Sequence, residues 1–201
     1  LYTLVPKFSV NTVMGKTSIV GDKEGWTMED LKALMAKYPD ASVFGDTTTR
    51  SELLWMFMMY SGSQFVNRET GKCSFDSQEF VDLLEFMKQF PEEFDYSALP
   101  DDYWMNSQKA YRDGKILLMS LNISDVENYI TNVGMFGEPV TLIGFPAKEG
   151  NGAVITPNNV YMISSKSKNP DGAWQFLRYY LTDEYQKDSN DSWTLPIKKD
   201  A

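Results

Sequence analysis

The chain has 201 residues and a net charge of −9, with 42% hydrophobic and 14% aromatic residues. This composition is typical of a globular protein with its own core and excludes a disordered chain. The acidic balance argues against nucleic acid as a partner, because such binding needs positive charge to meet phosphate. There is no histidine and one cysteine, Cys73. These counts exclude an imidazole base, His-ligated zinc and an internal disulfide, and no cofactor is expected.

Apolar periodicity predicts helices that alternate with strands, and therefore an α/β fold. The loosely alternating residues 1–20 predict one or two strands, and 153–163 predict another strand that Pro157 interrupts. The buried run after Gly114 predicts a strand at 116–121, and a further strand is expected at 139–145. The predicted helices span 28–38, 50–60, 77–89, 102–113, 124–133 and 170–181.

Four helix starts carry patterns typical of capping boxes, in which side chains satisfy the first free backbone N–H groups. The pairs are Thr27 with Asp30, Thr49 with Glu52, Asp76 with Glu79, and Ser124 with Glu127. The second helix is apolar nearly all round, from Leu53 to Tyr60, so it is expected to be buried.

Four segments, taken in order, resemble the extracellular solute-binding proteins of bacterial ABC importers, in particular the family 1, carbohydrate-type group. They cover roughly residues 70–200 and are TGKCSFDSQEFVDLLEFMKQF, AYRDGKILLMSLN, SSKSKNPDGAWQFLRYYLTDEYQ and TLPIKKDA. The resemblance implies a periplasmic-binding-protein-like fold of type II. In that fold two α/β lobes are joined by crossing strands and the ligand is held in the cleft between them.

The resemblance also implies an incomplete chain that contains mostly the second lobe and part of the first. Residues 1–7 are then expected to be a hinge or first-lobe strand, and 8–146 the second α/β lobe. Residues 147–192 would return to the first lobe, and 193–201 would cross toward the second.

The candidate ligand-binding residues are those that suit a sugar, whose C–H faces stack on aromatic rings and whose hydroxyls need polar partners. Trp55 is a candidate platform, and Arg50 and Glu52 could bond to hydroxyls. Each has a structural alternative, since Trp55 could lie in the core and Glu52 could serve only as a cap.

Asn122 and Asp125 follow the predicted strand 116–121, at the carboxyl end where ligands bind in open α/β sheets. Asn158, Asn159 and Tyr161 come after Pro157 within the predicted strand 153–163, which is expected to border the cleft. Ser124 is expected to act as a cap, and the paired amides also suit an ordinary turn. Tyr103, Trp104 and Trp193 are weaker candidates, and Trp174 is expected in the core.

No catalytic pattern stands out. The adjacent acids Asp101-Asp102 and Glu92-Glu93 favour a solvated surface over a glycosidase pair, and Cys73 has no histidine to activate it.

The resemblance implies a binding protein without enzymatic activity that captures a sugar or oligosaccharide and delivers it to ABC permease transmembrane subunits. It also implies an extracytoplasmic location, as a cell-surface lipoprotein or in the periplasm. Two alternative functions are a ligand-sensing ectodomain of the same fold and a glycan-acting enzyme.

Overall fold

The computed structural model describes residues 3–45, 47–148, 152–187 and 194–199. The chain divides into two compact units. Unit 1 comprises Leu1–Asn11, Asn122–Thr131 and Ile155–Ala201, and unit 2 comprises Thr12–Leu121 and Asn132–Val154. The chain therefore passes between the units four times, between residues 11 and 12, 121 and 122, 131 and 132, and 154 and 155.

Within the described ranges the strands form one five-stranded sheet and two small two-stranded sheets. In chain order they are β1 Thr3–Leu4, β2 Lys7–Lys16, β3 Val66–Asn67, β4 Lys72–Cys73, β5 Leu118–Ile123, β6 Val140–Leu142, β7 Val154–Asn158, β8 Tyr161–Met162 and β9 Leu195–Pro196. The larger sheet has the order β5-β2-β6, and β7 and β9 also pair with β2. The small sheets are the antiparallel pairs β1 with β8 and β3 with β4.

The helices alternate with these strands, so the molecule is α/β as predicted. They are α1 Thr17–Val20, α2 Met28–Lys37, α3 Arg50–Ser61, α4 Gln78–Met87, α5 Tyr103–Arg112, α6 Val126–Phe136, α7 Pro170–Leu177 and α8 Asp183–Lys187. Short 3₁₀ turns lie at Gly62–Gln64, Tyr96–Ala98 and Arg178–Leu181. None of the helices in the described ranges has the length and apolar character needed to cross a membrane.

Two of the predicted capping boxes are confirmed. Thr27 accepts from the backbone N–H of Asp30 while the Asp30 carboxylate accepts from that of Thr27, and Thr49 and Glu52 form the same reciprocal pair at α3. Gly114 has the predicted left-handed conformation after α5, with φ of 68°.

Two other predicted caps are wrong. Helix α4 begins after Ser77, whose hydroxyl accepts from the backbone N–H of Phe80. Helix α6 begins at Val126, because the carboxylate of Asp125 accepts the Asn128 N–H at 2.7 Å. The Ser124 hydroxyl donates to that same carboxylate at 2.9 Å instead of capping the helix itself. In both places an adjacent residue with a suitable side chain takes the capping position.

Several element boundaries and burial expectations also need correction. Pro157 lies inside β7, and the strand is interrupted at Asn159, which has φ of 54°. The predicted helix over 170–181 is α-helical only to Leu177. Helix α3 is not buried all round, since Trp55 is 59% exposed, and Trp174 is 46% exposed rather than in the core. Apolar periodicity marks a helix face as suited to burial without specifying what covers it, which is why the periodicity did not predict exposure at Trp55 and Trp174.

The apolar core belongs to unit 2. It is formed by Val13, Trp26, Leu31, Leu34, Val43, Leu53, Phe57, Phe65, Leu83, Phe86, Met87, Leu117, Leu118, Ile143 and Phe145. Phe145 stacks on Tyr60 with ring centroids 4.2 Å apart, and burial raises the pKa of the Tyr60 hydroxyl. The buried Trp26 indole donates to the carbonyl of Gly144 at 2.9 Å, which satisfies its one polar atom.

Unit 1 contains several buried polar side chains, among them Lys7, Ser9 and Gln186. The Gln186 amide nitrogen donates to the carbonyls of Pro6 and Tyr180, at 2.9 and 2.7 Å. Its oxygen accepts from the backbone N–H groups of Ile197 and Lys198. One buried glutamine thus ties together three separate stretches of the chain.

Candidate sugar-binding surfaces

Helix α3 presents an exposed aromatic side chain beside several polar groups. Trp55 lines an open concavity of about 520 Å³ in unit 2 together with Thr48, Ser51, Glu52, Met56 and Ser120. An indole face with hydroxyls and one carboxylate nearby offers both the stacking surface and the hydrogen-bonding groups that a sugar ring requires.

The first turn of α3 holds Glu52 in place. Its Oε2 accepts from the Thr49 backbone N–H at 2.8 Å and from the Thr49 hydroxyl at 2.9 Å. The reciprocal bond runs from the Glu52 N–H to the Thr49 hydroxyl. The cap that starts the helix therefore also fixes the carboxylate next to Trp55, one turn ahead of it.

Arg50 is engaged elsewhere. Its Nη2 donates to Glu92 at 2.8 Å, and its backbone N–H donates to the carbonyl of Pro91. It is not among the residues that line the Trp55 concavity. Of the three candidates at the start of α3, the structure brings Glu52 and Trp55 together and holds the Arg50 guanidinium in an ion pair.

Asn122 belongs to a hydrogen-bonded row of polar side chains in unit 1. Its amide nitrogen donates to the Ser9 hydroxyl at 3.1 Å and to the Asn11 carbonyl oxygen at 2.8 Å. The Asn11 amide nitrogen donates in turn to the Thr156 hydroxyl at 2.7 Å. Residues of β2, β5 and β7 form this row, which leaves the Asn122 side-chain oxygen free of protein partners among the described residues.

Ser9, Asn11 and Thr156 were not among the residues singled out from the sequence. A signal for two of them exists, since Lys7, Ser9 and Asn11 alternate with less polar residues and so share one face of a strand. Ser9 is 3% exposed, so its hydroxyl is a buried group that Asn122 satisfies.

The other candidates of unit 1 have diverse surroundings. Asp125 caps α6 and is half-buried, Asn158 is half-buried at the end of β7, and Asn159 is exposed. Tyr161 stacks on Tyr180 with ring centroids 4.6 Å apart, so one of its faces is occupied. Trp193 lies outside the described residues, as does the side chain of Trp104.

Two further concavities each lack one part of the combination found at Trp55, which is an exposed aromatic ring beside hydroxyls and a carboxylate. One of about 320 Å³, beside α2 and α4, is lined by charged side chains such as Glu29 and Lys32, and its one ring, Phe65, is buried. Another of about 540 Å³ in unit 1 combines Trp174 and Tyr161 with three serines but has no charged side chain in its lining. Trp174 is therefore the natural comparison for Trp55.

Solved structures that share this fold include sugar-binding and solute-binding proteins. The sugar-binding protein MalE from Xanthomonas citri superposes with a TM-score of 0.61 at 13% identity, over 96% of this chain and 52% of its own. The GacH receptor of Streptomyces glaucescens GLA.O gives 0.54 at 16% identity, over 99% and 53% of the two chains. RafE from Streptococcus pneumoniae gives 0.55 at 13% identity, over 99% and 56%.

The chain therefore has a periplasmic-binding-protein-like fold and spans about half the length of these proteins. No curated protein sequence matches it. The family model of the bacterial extracellular solute-binding proteins matches residues 1–201. The chain thus belongs to the bacterial extracellular solute-binding protein family.

Proposed function

We propose that the chain is part of the substrate-binding component of an ABC importer, and that it captures a sugar or oligosaccharide. The observation that carries this proposal is the exposed indole of Trp55 above an open concavity whose other lining groups are hydroxyls, a carboxylate and a thioether. An indole face buried by a sugar ring gains both hydrophobic and C–H stacking energy, and the ring hydroxyls need the adjacent polar groups.

The polar row of unit 1 supplies a second candidate surface. The amide of Asn122 has both of its hydrogens engaged by Ser9 and Asn11, so its oxygen is the atom left for a ligand hydroxyl. A donor-acceptor pattern fixed before binding lowers the entropic cost of ordering the site. Asp125, Asn158, Asn159 and Tyr161 are proposed as additional contacts on this unit.

The domain assignment also remains a proposal. Residues 8–146 would form most of the second lobe, 1–7 and 147–192 would belong with the first, and 193–201 would cross between them. Ligand binding would favour one conformational state, which permease transmembrane subunits recognise, because a ligand shifts a population by its differential affinity for two states. The protein would act without catalysis, outside the cytoplasm, as a lipoprotein or a periplasmic protein.

The test is a thermal-shift screen followed by calorimetry on the purified chain. Its probes are the ligands named for structural neighbours: raffinose, laminaribiose, tagatose and acarbose. At least one is expected to raise the melting temperature, because binding to the native state stabilises it by mass action. Replacement Trp55→Ala should then weaken binding about tenfold, the effect expected for a lost aromatic platform.

The matched variant is Trp174→Ala, which removes the second half-exposed indole among the described side chains. It should leave sugar affinity unchanged. A loss of affinity in Trp174→Ala without one in Trp55→Ala would move the site to unit 1, and the absence of binding to every sugar would contradict the proposed function.

A further inference from the structure

The Trp55 concavity carries a single charged side chain. Among the described residues that line it, Thr48, Ser51, Met56 and Ser120 are neutral, so Glu52 alone contributes charge. The carboxylate lies one helical turn before the indole, on the side of α3 that also exposes Trp55.

Glu52 is held in a fixed position with one oxygen spare. Thr49 donates two hydrogen bonds to the Glu52 carboxylate, one from its backbone N–H and one from its hydroxyl, and both end on Oε2. Within the described part of the chain, no hydrogen bond involves Oε1. That oxygen can therefore accept a ligand hydroxyl without disturbing the helix cap, and the carboxylate does not rotate away from the concavity while the cap is intact.

The nearest cation in sequence does not offset this charge. Arg50 pairs with Glu92 at 2.8 Å and does not line the concavity. The net charge of −9 adds to the negative potential around the chain. An anion that approaches Trp55 thus meets a fixed negative charge with no positive partner among the described lining residues.

We propose that Glu52 makes this surface selective for uncharged sugars, because it accepts a hydroxyl from a neutral ligand and repels one that carries a carboxylate or phosphate. The inference rests on the proposed function and deepens it, since it names the residue that sets the ligand class. Like charges placed together disfavour binding, and the effect weakens as salt screens them.

The variant Glu52→Gln removes the charge and keeps a side-chain oxygen for the cap, because glutamine also serves in capping boxes. The matched control is Asp30→Asn, which removes the carboxylate of the equivalent box at α2. Asp30 does not line the Trp55 concavity, so the control changes the net charge by the same amount at another place.

The first measurement needs no sugar. Iodide and acrylamide quench indole fluorescence, and the signal of Trp55 is isolated as the difference between each protein and its Trp55→Phe counterpart. We expect iodide quenching of Trp55, relative to acrylamide, to rise about twofold in Glu52→Gln at low salt and to stay unchanged in Asp30→Asn. Equal iodide quenching in all three proteins would overturn the inference.

The second measurement compares laminaribiose with its analogue oxidised to a carboxylate at C6. The affinity for laminaribiose divided by the affinity for the oxidised analogue should fall about threefold in Glu52→Gln at low salt. The change in this ratio should shrink in 0.5 M sodium chloride. A ratio that does not respond to Glu52→Gln overturns the inference even if both sugars bind. If neither binds, the proposed function fails for this ligand class, and the iodide measurement alone decides whether Glu52 excludes anions.

Discussion

The two units of the molecule are stabilised by different kinds of interior. Every member of the apolar core cluster lies in unit 2, where helices α2, α3 and α4 bury their apolar faces. In unit 1 the buried side chains include Lys7, Ser9 and Gln186, while Phe176 is 66% exposed and Ile155 is exposed too. Unit 2 is therefore held mainly by burial of apolar surface, and hydrogen bonds account for a larger share of the order in unit 1.

This contrast also separates the two candidate surfaces. On unit 2 an exposed indole projects from a helix whose other side, at Leu53 and Phe57, is anchored in the core. On unit 1 the candidate amide of Asn122 is positioned by hydrogen bonds to Ser9 and Asn11. A core substitution should disturb the first surface, whereas loss of one polar partner should disturb the second.

The largest effect is expected in the core of unit 2. Phe57 is 2% exposed, so Phe57→Ala should lower the free energy of unfolding by about 3–5 kcal/mol through lost burial and a cavity. The control Phe176→Ala in unit 1 should lower it by about 1 kcal/mol at most, because that ring is mostly exposed and its contact with Tyr180 is edge-to-face at 5.8 Å. Urea denaturation followed by circular dichroism measures both, and losses of similar size would contradict the contrast.

A smaller effect is expected at Gln186 in unit 1. Replacement Gln186→Ala leaves two carbonyls and two N–H groups without their partner, and we expect a loss of about 2–3 kcal/mol. Hydrogen exchange at the amides of Ile197 and Lys198 should become faster. The control is Gln175→Ala, because Gln175 is an exposed residue of α7 and its replacement should leave exchange at these amides unchanged. Equal exchange in the two variants would show that Gln186 does not order unit 1.

The smallest effect concerns pH and an exposed carboxylate of unit 2. The pKa of Glu138 is lowered by hydrogen bonds from Lys16 and Ser18, and by the charge of Lys16. Because the folded-state pKa lies below the unfolded value, its stabilisation is present at neutral pH. It is lost as the pH falls through the folded pKa.

The urea midpoint of Glu138→Gln should therefore be lower than that of the wild type at pH 7, and the two midpoints should converge as the pH falls through the folded-state pKa of Glu138. The exposed Glu93→Gln serves as control and should follow the wild type throughout. A midpoint difference that persists at low pH would assign the effect of Glu138→Gln to packing instead of charge.

The sequence was most informative where the determinants are local. Both capping boxes with Thr at the cap depend on residues three apart, and they lie where predicted. The start of α6 was missed because Ser124 and Asp125 are both good caps, and only the three-dimensional structure shows that the carboxylate takes the helix N–H. The ten-residue length of β2 depends on partners as distant as Leu142 and Leu195, which no local pattern encodes.

The candidate surfaces also differ in how far local sequence determines them. Glu52 and Trp55 share one helix, so their proximity follows from helical spacing. The row of Asn122, Ser9, Asn11 and Thr156 could not be predicted, because Asn122 and Asn11 are 111 residues apart in sequence. The exposure of Trp174 was likewise mispredicted, since apolar periodicity marks a face as suited to burial without specifying what covers it.

The most direct test of a sugar site at Trp55 is fluorine NMR on protein labelled with 5-fluorotryptophan. The Trp55 resonance is assigned by its disappearance in Trp55→Phe, and the buried Trp26 serves as an internal reference. Titration with the tightest-binding sugar should shift the Trp55 resonance in a saturable way and leave that of Trp26 unmoved. A saturable shift confined to other tryptophans, with the Trp55 signal unchanged, would contradict the proposed site.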